Sequence, residues 1–114
     1  MNSIDIARAA VKLLDDKKAQ DIVVLDVGKL TSLGDYFVIC SGTSSTQVKA
    51  LADELDEKLK VSGAKARRVE NDKASQWVLL DYGDVICHIF YHETRGFYCL
   101  ERLWADAPRV ELGE

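Results

Sequence analysis

The architecture turns on Gln76-Trp-Val-Leu-Leu-Asp-Tyr-Gly-Asp-Val-Ile-Cys-His-Ile-Phe-Tyr91. Two apolar runs flank Asp81-Tyr82-Gly83-Asp84, the signature of a β-hairpin. With Tyr82-Gly83 as the two loop residues, antiparallel pairing sets Asp81 against Asp84, Leu79 against Ile86 and Trp77 against His88. Side chains alternate along a strand, so Trp77, Leu79, Asp81, Asp84, Ile86, His88 and Phe90 share one face, while Val78, Leu80, Val85, Cys87 and Ile89 share the other. The second face is core. The first, an aromatic among aliphatics and two acids, has the composition of a binding patch with an anchor and a polar rim. A helix of the same chain laid over it would be consistent with the same pattern.

Upstream, Ser3 is positioned to cap a helix whose apolar residues Ile6, Ala10, Leu13 and Leu14 recur at helical spacing, with Lys17-Lys18 near its end. Ile22–Val27 and Tyr36–Cys40 read as strands joined through Thr31–Asp35. After Ser41-Gly42-Thr43-Ser44 comes a second helix, with Ser44 and Gln47 at capping-box spacing, Val48, Leu51, Ala52, Leu55 and Leu59 on one stripe, and Gly63 at its end. Ala66–Glu70 is a weaker strand, and Asn71–Ser75 a polar loop into the hairpin. Downstream, Phe97, Leu100, Leu103 and Trp104 follow helical spacing and Pro108 stops the run. The order α-β-β-α-β-β-β-α predicts one α/β (α+β) domain over residues 1–114, a mixed sheet of about five strands flanked by helices.

At 114 residues the chain can bury a core without disulfides or a structural metal. Hydrophobic content of 47% and charged content of 30% are those of a globular domain, with no apolar run able to span a bilayer. Three cysteines, Cys40, Cys87 and Cys99, an odd number with two inside apolar strands, suggest a reducing compartment. The first residues lack the pattern of a secretory or organellar leader, and the expected location is the cytoplasm. The net charge of −4 is uneven: residues 1–68 hold 11 Lys/Arg and 10 Asp/Glu, residues 69–114 hold 4 and 9. Such an acidic half suits a basic protein better than a nucleic-acid backbone.

Signals for catalysis are weak. Gly42–Ser45, between a strand and a helix, could hold an anion, yet it lacks the spacing of a P-loop or a dinucleotide fold. Asp81 and Asp84 straddle a turn instead of sitting two apart on one strand face, which disfavours a two-metal nucleotidyl-transfer centre. Adjacent Cys87 and His88 point to opposite sides of a strand and cannot both ligate one zinc without a bulge.

Four blocks in order, Asp35-Tyr-Phe-Val-Ile-Cys-Ser-Gly-Thr-Ser44, Trp77-Val-Leu-Leu-Asp-Tyr-Gly-Asp-Val85, His88-Ile-Phe90 and Arg95-Gly-Phe-Tyr-Cys-Leu-Glu-Arg-Leu-Trp104, resemble the ribosomal silencing factor (RsfS, or iojap-like) family. The resemblance runs from about Asp21 to Pro108. It departs from the family pattern at Gln47, often His, and in the glycine-free loop 71–75. It implies a nucleotidyltransferase-like fold without that activity, no cofactor, no DNA or membrane partner, and a monomer or weak homodimer. It further implies binding to the fourteenth protein of the large ribosomal subunit, and a minor contact with ribosomal RNA is compatible with that placement. That binding would block association with the small subunit and repress translation under nutrient limitation. The expected partner-binding residues are Trp77, Leu79, Asp81, Tyr82, Asp84 and Arg95. The alternative is a nucleotide-binding or nucleotidyl-transferring enzyme using Gly42–Ser45.

Overall fold

The computed structural model describes residues 2–28, 34–71 and 76–92, together with Pro108 and Val110. Among them the elements run α1 (Ser3–Asp16), β1 (Gln20–Asp26), β2 (Tyr36–Gly42), α2 (Ser45–Val61), β3 (Arg68–Asn71), β4 (Trp77–Asp81) and β5 (Val85–Tyr91). The first seven elements of the expected order are present. The expected helix around Phe97–Trp104, and Arg95 with it, lies outside the described residues.

The strands form one five-stranded sheet in the order β1-β2-β5-β4-β3. β2 and β5 are parallel at its centre, and every other pair is antiparallel, which makes an α+β mixed sheet. The two central strands are buried almost throughout, as strands covered on both faces must be. Beside β1, Asp26 N–H donates to Pro108 O and Val110 N–H to Val24 O, each at 2.9 Å. These bonds occupy part of the outer edge of β1.

Both described helices lie on one side of the sheet. The α1 residues Ile6, Ala10 and Leu14 and the α2 residues Val48, Leu51, Leu55 and Leu59 pack there against Val38, Cys40, Val78, Leu80, Val85, Cys87 and Ile89. α1 starts one residue earlier than the sequence suggests: Asn2, not Ser3, is the cap, its side-chain oxygen accepting from Asp5 N–H at 2.9 Å. Each helix closes with the paired backbone bonds of a Schellman turn, Ala19 to Leu14 and Lys18 to Asp15 in α1, Ala64 to Leu59 and Gly63 to Lys60 in α2. The left-handed position falls on Gly63 (φ 100°) in α2 but on Lys18 (φ 65°) in α1, where a side chain carries a steric cost.

The hairpin has a different register from the expected one. Tyr82 N–H donates to Val85 O at 2.9 Å, so the two loop residues are Gly83-Asp84, and Asp81 faces Ile86, Leu79 faces His88 and Trp77 faces Phe90. A two-residue hairpin loop needs positive φ at its first central position, and glycine supplies it there (φ 87°). Moving the turn by one residue slides the pairing by two, which leaves every side chain on its expected face. No helix among the described residues is long and apolar enough to cross a membrane.

Candidate functional site

The face of the sheet away from α1 and α2 holds Leu25, Val27, Phe37, Ile39, Leu79, Ile86 and Phe90, all buried, with Val23 and Trp77 packed against them. Leu79 is therefore a support beneath the surface rather than a contact. Trp77, at the start of β4, is half-buried. Its indole stacks on His88 (6.2 Å between centroids, 11° between planes) and on Phe90 (6.3 Å, 17°), while Phe37 meets His88 edge-on at 5.2 Å. Such ring pairs add to simple area burial and hold the indole in one orientation.

His88 locks this arrangement. Its Nδ1 accepts from the Trp77 Nε1–H at 3.4 Å, so the neutral ring carries its proton on Nε2, which finds no hydrogen-bond partner among the described residues. Burial pushes its pKa down to about 4. Adjacent Cys87 points the other way, into the helix-side core, where burial and the neighbouring Cys40 raise its thiol far above the ordinary range. A thiol so held is a small apolar side chain. Cys87→Ala should lower unfolding free energy by about 1 kcal/mol and leave intact the ribosome binding that the sequence resemblance implies, as chemical denaturation and co-sedimentation would show.

At the other end of β4 the geometry gathers acids. Asp81, half-buried, uses its Oδ1 to accept from Gly83 N–H at 2.8 Å and so fixes the turn. Asp84 is exposed, and its backbone oxygen receives the N–H groups of Asp35 (2.7 Å) and Tyr36 (3.1 Å), tying the turn to the start of β2. A Cβ on Gly34 would lie 3.2 Å from that same oxygen, so the approach needs glycine. A Cβ on Gly28 would sit 3.3 Å from Asp35 Oδ1 and 3.7 Å from Asp26 Oδ1, which brings those two carboxylates to the same end of the sheet. Sequence reasoning found Asp81 and Asp84 but missed Asp26 and Asp35, because only the parallel pairing of β2 with β5 brings them together.

Tyr82 is placed apart from this surface. It is buried on the helix side with its hydroxyl beside Asp56 of α2, and burial foremost, with Cys87 and Asp56 nearby, raises its phenol well above the usual value.

The Gly42–Ser45 loop is filled by its own chain. Ser44 Oγ accepts from Gln47 N–H at 3.1 Å, and Gln47 Oε1 takes both the N–H and the hydroxyl of Thr43. A Cβ on Gly42 would come 3.0 Å from Val48 Cγ2 and 3.2 Å from Val48 N. Both donors of Thr43 are thus engaged in a capping box extended by one residue. Ser44→Ala should cost about 0.5–2 kcal/mol of stability through the lost cap, and Gly42→Ala should also destabilise, by crowding Val48. Neither should change the ribosome binding that the sequence resemblance implies; a folded Ser44→Ala chain unable to bind large subunits that the wild type binds would contradict this.

Comparison with known proteins agrees with this architecture. The family described as ribosomal silencing factor during starvation matches residues 1–114. The chain is 41% identical to the ribosomal silencing factor RsfS of Halalkalibacterium halodurans over 98% of this chain and 96% of that one, and 40% identical to that of Bacillus subtilis over 98% and 95%. A crystal structure of a Chromobacterium violaceum protein superposes with a TM-score of 0.88 at 39% identity, covering 92% of this chain and 88% of that one. With the family pattern matched from the first residue to the last, the chain belongs to the ribosomal silencing factor family.

Proposed function

We propose that this protein binds the large ribosomal subunit through its fourteenth protein and sterically blocks association with the small subunit, repressing translation under nutrient limitation in the cytoplasm. Family membership across the whole chain carries the reading. The structure supports it with a surface suited to docking: an orientated, half-buried Trp77 at one end of β4 and the carboxylates of Asp81, Asp84, Asp35 and Asp26 at the other. Residues 77 and 81 are roughly 13 Å apart along the strand, a span one partner can cover. An aromatic anchor supplies affinity, and an acidic end steers a basic ribosomal protein into register. Arg95 joins Trp77, Asp81 and Asp84 as a proposed contact, with Leu79 supporting them from below. The action is binding, with no cofactor and no chemical step.

A subunit-joining assay with purified components tests this. Light scattering should show dose-dependent loss of joined ribosomes when the protein is added to large subunits first, with no requirement for nucleotide. Unimpaired joining at saturating protein would overturn the proposal.

A further inference from the structure

The charge of this molecule is segregated in a way that the docking surface does not use. Between Glu57 and Glu70 the chain holds Lys58, Lys60, Lys65, Arg67 and Arg68 and no acid, whereas the remainder holds 10 Lys/Arg against 19 Asp/Glu. All five cations are exposed. They occupy one connected feature, the last turns of α2, the α2–β3 connection and the start of β3. The connection is held in place by the Gly63 and Ala64 bonds that close α2, by buried Ala64, and by Arg67 N–H donating to Asp81 O at 2.7 Å. Arg68 pairs with Glu70 at 3.5 Å, but among the described residues Lys58, Lys60, Lys65 and Arg67 have no carboxylate at ion-pair distance.

This basic corner adjoins the acidic end of the sheet. A Cβ on Gly83 would lie 3.0 Å from Arg67 Cζ, so the guanidinium rests on the turn between Asp81 and Asp84, and Arg68 is the cross-strand partner of Asp81. A basic protein that accepts the carboxylates would repel the corner beside them, unless the corner faces negative charge of its own. Apart from the exposed Val61 and Val69 the corner offers cations, with no aromatic anchor, and five cations so grouped serve neutralisation of a phosphate backbone better than packing against an apolar protein surface. We infer that the α2–β3 corner is an RNA-backbone contact, engaging phosphates of ribosomal RNA next to the bound protein. This inference rests on the proposed binding to the large subunit and assigns a second, electrostatic part of that interface.

Titrating large subunits with the wild type and with Lys58→Gln/Lys60→Gln/Lys65→Gln across a potassium chloride series tests it. Each phosphate neutralised contributes about 0.7–0.9 to the slope of log affinity against log salt, so the triple variant should lose about 2 from that slope and bind at least roughly tenfold more weakly at low salt. Its affinity for the isolated fourteenth protein should not change. Arg8→Gln/Lys12→Gln/Lys49→Gln, an equal charge change elsewhere on exposed helix positions, should leave the slope near wild type. An unchanged slope in the first variant, an equal change in the second, or an equal loss on the isolated protein would overturn the inference while leaving subunit binding standing. A wild-type chain that does not bind large subunits would overturn both.

Discussion

Trp77→Ala should weaken binding to isolated large subunits by about 2–4 kcal/mol, the range of a central aromatic anchor. The same variant should lose stability, because the indole is half-buried and stacks on His88 and Phe90. A fully buried aromatic truncation costs about 3–5 kcal/mol, so a half-buried one belongs at or below the lower end. Binding must therefore be measured where the variant is folded, beside its denaturation curve. The acidic end provides the separation. Asp84 is exposed and contributes to the fold through its backbone oxygen, which Asp84→Arg retains. That variant should melt near wild type yet bind far more weakly, since it sets a cation against a basic partner. Asp81→Arg is a less clean probe, because it also removes the acceptor for Gly83 N–H and should cost about 1 kcal/mol of folding. If folded Asp84→Arg and Trp77→Ala chains both bind at wild-type strength, docking by this face is wrong.

Much of this surface was legible before the structure, and the limits have physical causes. Period-two alternation assigns Trp77, Leu79 and Asp81 to one face whatever the register, so the face survived a turn misplaced by one residue. Alternation does not say what covers a face, and Leu79 reads the same whether it meets a partner or, as here, is buried. A place beside the turn hides that Tyr82 continues the parity of Val78 and Leu80 and so points toward α2. The acidic end was half visible, because Asp26 and Asp35 reach Asp84 only through a parallel pairing that spans the intervening helix and two strands. The Asn2 cap differs by one residue from the expected Ser3, within the usual blur of helix ends.

His88 gives the second large effect, a dependence of stability on pH. Its ring sits beside Phe37, Trp77 and Phe90 and pairs in register with Ile39 and Leu79, none of them able to compensate a charge. Burial lowers its pKa to about 4 from the ordinary 6.5. Between those values the unfolded chain takes up a proton that the native ring refuses, so stability falls as pH falls. The contribution is intact above about pH 6.5, declines by about 1.4 kcal/mol per unit below it, and amounts to about 3 kcal/mol near pH 4. His88→Phe removes the titration while keeping a flat aromatic ring in the stack. Urea unfolding of both proteins from pH 7.5 to 4 should give curves that separate by about one proton's slope below pH 6.5. Carboxylates that titrate near pH 4 affect both chains alike and cancel in the difference. Parallel curves would mean that native His88 takes up its proton at the same pH as in the unfolded chain, which the apolar surroundings of its ring argue against.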